Sequence, residues 1–209
     1  MPTAGWVLVG VLVGLASLRA ALVVVADIVR DAGTARAGSI AWFGAGALGA
    51  ATALVGSTAS AAHAAVLASV AVFLIVQTPS DLVAHRLSRP VTLAATAAIA
   101  AIVAADAVTS GVPDSVLGAF GWASVVSAVY AMLHRVSPRS LGWGDVLLVV
   151  PLAVAVAFVD ADRLVVWQLL AATSGAVHAV GRRARRGTTM IPFGPHLLGS
   201  AWVVLATSV

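Results

Sequence analysis

The stretch GWGDVLLVVPLAVAVAFVD, residues 142–160, decides the fold. It is long enough to cross a bilayer, whose hydrocarbon core takes roughly 20 mostly apolar residues, and it carries a carboxylate, Asp145, near its start. A carboxylate close to hydrocarbon is costly and is read as functional by default. The glycines before it, Gly142 and Gly144, permit an irregular backbone and close approach of an extended peptide. Taken alone, G-x-G-D is a short pattern, and a glycine turn with an N-capping aspartate explains it equally well.

The rest of the chain is of the same kind. Hydrophobic residues make up 61% of it and charged residues 10%, with a mean hydropathy of +1.05, far outside the range of soluble domains. The expected fold is an all-α integral membrane protein, a polytopic bundle of about eight transmembrane helices over 5–29, 38–57, 60–80, 91–110, 115–134, 142–160, 163–181 and 190–208. Residues 1–209 read as a single domain with no internal repeat and no soluble insert. Gly10 and Gly14, and Gly44, Gly46 and Gly49, allow close helix packing. The first apolar run has no positive n-region, which predicts a retained span rather than a cleaved signal.

The 12 basic residues are all arginine and the 8 acidic ones all aspartate. The high pI therefore reflects loop arginines rather than a broad basic face, and nucleic acid is a poor partner. The absence of cysteine excludes disulfides, thiolate zinc sites and a cysteine nucleophile. The arginines mark alternate loops: Arg30 and Arg36, then Arg86 and Arg89, then Arg135 and Arg139, then Arg182, Arg183, Arg185 and Arg186. By the positive-inside rule those loops are cytoplasmic and both termini external. Asp81 and Asp145 then share the cytoplasmic face, while Asp106, Asp114, Asp160 and Asp162 lie near the outer one.

Asp81 opens DLVAHRLSRP, residues 81–90, which by itself reads as a solvated loop carrying His85, Arg86 and Arg89. Paired with Asp145 it reads differently. Two carboxylates brought together cannot both ionise easily, so they share a proton, one poised as base toward water and the other as acid toward a carbonyl. A third segment, MIPFGPHLLGSAW, residues 190–202, places Pro192, Gly194 and Pro195 at the start of the last span and predicts a non-helical entry at membrane depth.

Together the three segments resemble the bacterial prepilin peptidases, the type IV leader peptidases. That family carries an aspartate followed by D-x-x-x-x-[RK]-[IL]-P-N, then G-x-G-D-[VI]-K-L, then IPFGP before the final helix. Here DLVAHRLSRP, GWGDVLL and IPFGP follow in that order, and the resemblance is strongest over 60–209. Ser88 and Arg89 stand where the family has Pro-Asn, and Leu147 where it has lysine. The resemblance implies a multi-pass enzyme of the bacterial cytoplasmic membrane, an aspartic endopeptidase that removes the leader of type IV pilin-like precursors. Its catalytic residues would be Asp81 and Asp145. Gly142, Trp143, Gly144, Arg86, Pro192, Phe193, Gly194, Pro195 and His196 would shape the site or bind substrate. No metal, cofactor or covalent intermediate is implied. The cysteine-rich insert that larger members associate with methylation is lacking in segment 30–39, so no methyl transfer is expected.

Two other readings stand beside it. Presenilin-like intramembrane proteases share G-x-G-D but pair it with Tyr-Asp and a late Pro-Ala-Leu, whereas here Ser80 precedes Asp81 and the only tyrosine is Tyr130. The other is a non-catalytic membrane protein, either a degenerate pilin-binding peptidase or a small transporter, the latter slightly favoured by Asp106, which lies near the outer interface. Among the remaining polar residues, His63 reads as a satisfied intramembrane histidine, and Arg19, within the first span, either snorkels or pairs with Asp27. Trp6, Trp42, Trp122, Trp143, Trp167 and Trp202 mostly read as interfacial anchors.

Overall fold

The computed structural model of the chain describes residues 37–84, 87–138, 141–186 and 191–208, together with Arg19. These are all-helical. In chain order they form α1 (Ala37–Gly56), α2 (Ala61–Ala84), α3 (Arg89–Ser110), α4 (Pro113–Val136), α5 (Trp143–Asp160), α6 (Arg163–Arg186) and α7 (Gly194–Ala206). Helix is what an apolar chain must form in lipid, because only there does each segment satisfy its own backbone hydrogen bonds. Five of the helices, α2 to α6, are long and apolar enough to cross a membrane, and α7 is a shorter apolar one. The expected first span, 5–29, lies outside the described residues apart from Arg19, as does Asp27.

Short turns join α1 to α2, α3 to α4 and α5 to α6. Between α3 and α4, Gly111 takes a left-handed conformation (φ 70°) and donates its N–H to the Ala107 carbonyl, after which Pro113 begins α4. Glycine is at no steric disadvantage there, and proline at the first helical position forfeits no intrahelical bond.

Helix α5 is the hub, touching α2, α3, α4, α6 and α7. Leu148, Val149, Leu152, Ala153 and Ala155 are wholly buried along it. Helix α7 is held by polar bonds from three directions. Trp202 donates its indole N–H to Thr52 Oγ1 of α1 at 2.9 Å, His63 Nε2 of α2 bonds the Leu205 carbonyl at 2.9 Å, and Trp167 of α6 donates to the Leu197 carbonyl at 2.9 Å. In an apolar surround few competing partners exist for such groups, which makes these contacts specific. His63 is thus buried and bonded, as expected. Trp167 is not an interfacial anchor: it is fully buried (0% exposed), since its N–H finds a partner inside the bundle.

The helix ends differ in charge. The starts of α3, α5 and α7 share one end, because Gly144 at the start of α5 packs against Leu87, just before α3, and Gly194 at the start of α7 contacts both Asp81 and Leu87. Arg89, Arg135, Arg182 and Arg183 belong to helix termini at this end. Asp106, Asp114, Asp160 and Asp162 belong to the other end, where Arg163 pairs with Asp160 at 3.3 Å.

Candidate active site

Asp81 does not sit in a loop. Helix α2 runs through Pro79 and continues to Ala84, so Asp81 lies in its last turns and is buried (5% exposed). Proline inside a membrane helix is tolerated when neighbouring groups satisfy the freed carbonyl. The chain after it is clamped by Gln77, which is wholly buried. Its amide donates to the Ser88 carbonyl at 2.9 Å and to Thr92 Oγ1 at 3.0 Å, while Ser88 N–H donates to Gln77 Oε1 at 2.9 Å. This clamp leads the chain from α2 into the first turn of α3.

Asp145 stands in the first turn of α5, where its Oδ2 accepts the Gly142 N–H at 3.3 Å. That bond is the reach-back half of a capping box, so Gly142 and not Asp145 is the N-cap residue. Trp143 is half exposed and lies beside His134 of α4, with ring centroids 5.3 Å apart. Gly144 faces Leu87: a Cβ there would meet Leu87 Cβ at 3.4 Å.

The third segment meets the first. Residues 191–193 are non-helical before α7 begins at Gly194, as the prolines predicted. Gly194 N–H donates to Asp81 Oδ2 at 3.0 Å. Pro192 is buried and Pro195 partly so. Phe193 packs on Gly175 of α6, where a Cβ would lie 3.0 Å from its ring. His196 turns to α6, its Nδ1 3.1 Å from Ser174 Oγ and its Nε2 2.9 Å from His178 Nδ1.

The three motifs therefore converge. Asp81 and Asp145 lie within electrostatic reach of one another, and Leu87 fills the space between Gly144 and Gly194. Arg86 lies outside the described residues. Four participants were not singled out from the sequence: Leu87, Ser174, His178 and Tyr130. Tyr130 of α4 is within electrostatic reach of Asp145 and donates its hydroxyl to Gln168 Oε1 of α6 at 2.6 Å. Ser174 and His178 had one readable signal, their i, i+4 spacing on one helix face.

A buried carboxylate beside a second one, with a backbone N–H donor fixed on the first, suits proton exchange with a water and a peptide carbonyl. No family model, curated protein or solved structure matches the chain.

Proposed function

We propose that this protein is a membrane aspartic endopeptidase of the prepilin peptidase type. It cuts the leader from pilin-like precursors at the cytoplasmic face of a bacterial inner membrane, as a bundle of about eight spans with both termini outside. The observation that carries the reading is the convergence of Asp81 and Leu87, segment 142–145 and segment 191–196 around Asp81 and Asp145. The arginine-rich end of the bundle, which also bears both aspartates, supports the orientation.

In the proposed reaction one aspartate takes a proton from a water as it attacks the scissile carbonyl. The other, protonated, donates to the developing oxyanion and later assists departure of the amine. The Gly194 N–H fixes the position of the Asp81 carboxylate throughout. A substrate with a basic leader in water and an apolar helix in lipid places its cleavage site at the interface where the dyad lies. The product's new N-terminus is left unmethylated.

Purified Asp81→Asn and Asp145→Asn variants test this directly, with a pilin-like precursor as substrate. Asparagine keeps the shape of aspartate but cannot exchange the proton, so both variants insert normally and fail to cleave. Substantial turnover by either one removes the aspartic mechanism.

A further inference from the structure

We infer that Ser174 and His178 of α6 are positioning residues for the Asp81 site: acting through His196, they seat the first turn of α7 so that Gly194 N–H meets the Asp81 carboxylate. For its activity readout the inference rests on the peptidase reading; its structural content does not.

The bonds form a continuous chain. Ser174 Oγ lies 3.1 Å from the Ala171 carbonyl oxygen and 3.1 Å from His196 Nδ1, and His196 Nε2 lies 2.9 Å from His178 Nδ1. A neutral imidazole offers one donor and one acceptor nitrogen, so the serine and the two rings satisfy one another in either direction of donation. Beside this chain, Phe193 rests on Gly175. The face of α6 formed by Ser174, Gly175 and His178 thus holds the chain on either side of Gly194, at Phe193 and at His196. On its opposite side Gly194 contacts Asp81 and Leu87. Its 3.0 Å bond to Asp81 has little slack, since a shift of about 1 Å takes an N–H···O contact out of bonding range.

The test uses the full chain in detergent, with Ser174→Ala and His178→Leu to break the relay and Ser174→Thr and His178→Asn to preserve its acceptor and donor. Ser174→Cys adds a near-isosteric variant with only a weak acceptor, which folds even if the apolar changes do not. Two measurements are made: hydrogen exchange of the amides in segment 191–197, and kcat and KM against pH on a pilin-like precursor. The breaking variants and Ser174→Cys should exchange faster at Gly194 and lose about tenfold in kcat with little change in KM. Their acid limb should move to higher pH, because the Asp81 anion loses a stabilising N–H. A merely structural role lowers thermal stability without moving that limb. The conservative variants should match the wild type. Unchanged exchange and an unmoved acid limb in Ser174→Ala, His178→Leu or Ser174→Cys overturn the inference. If the wild type cleaves nothing yet exchange still rises in the variants, the positioning stands and the peptidase reading falls.

Discussion

Gly194 gives its backbone N–H to Asp81 Oδ2 at 3.0 Å, and a Cβ built on Gly194 would lie 2.7 Å from that same oxygen. The bond and the missing side chain are one requirement. Gly194→Ala must displace the carboxylate or the start of α7, and Leu87 Cδ2, 3.1 Å from that Cβ, blocks the alternative exit. We expect Gly194→Ala to lose at least about tenfold in turnover and to melt at lower temperature. Gly144→Ala, whose Cβ meets Leu87 at an ordinary 3.4 Å, should keep its melting temperature. Wild-type turnover by Gly194→Ala in a cleavage assay would separate Gly194 from the site.

A dyad that works with one shared proton loses its base when acid protonates both carboxylates and loses its donor when alkali removes the last proton. The kcat/KM profile should therefore fall on both sides of an optimum, with limbs that belong to the Asp81 and Asp145 pair rather than to either residue. Activity that rises monotonically with pH would point to a different chemistry.

His63 offers a control at the far end of the bundle. Its bond to the Leu205 carbonyl is buried, and it is remote from the end that carries Asp81. His63→Leu should lower stability by about 1 kcal/mol, the scale of interhelical hydrogen bonds in membranes, and leave turnover untouched. Thermal unfolding beside a cleavage assay reads both, and a loss of turnover at unchanged stability would contradict the assignment.

Orientation is open to reporter fusions. Fusions near Arg36, Arg86, Arg139 and Arg183 should report as cytoplasmic and those near Ser57, Pro113 and Asp162 as external. A clean reversal would put Asp81 and Asp145 on the wrong side for a pilin leader.

Hydropathy and the arginine pattern were enough to locate the described helices, most of whose ends fall within two residues of expectation. The larger differences have physical causes. The span expected over 60–80 stopped at the charged segment that opens with Asp81, yet α2 runs through Pro79 and continues to Ala84, because a membrane helix keeps its course where neighbours satisfy the freed carbonyl. Helix α6 likewise runs on to Arg186, since arginine is a good helix former once outside the apolar layer. The motif residues around Asp81 and Asp145 were legible because they are chemically unusual for their setting. Leu87, Ser174 and His178 were not, as their roles depend on which helix faces which. The same holds for Trp167, whose burial follows from a carbonyl thirty positions away in sequence, on Leu197.

The Gln77 clamp gives a meaning to one departure from the family pattern. Gln77 grips the backbone of Ser88 through both the carbonyl and the N–H. Proline, which the resembling family places here, has no N–H to offer. Glutamine at 77 and a residue other than proline at 88 are thus matched: proline at 88 in this chain would strip Gln77 Oε1 of that donor in a buried setting. Transplanting the consensus segment by itself would be a mutation, not a repair.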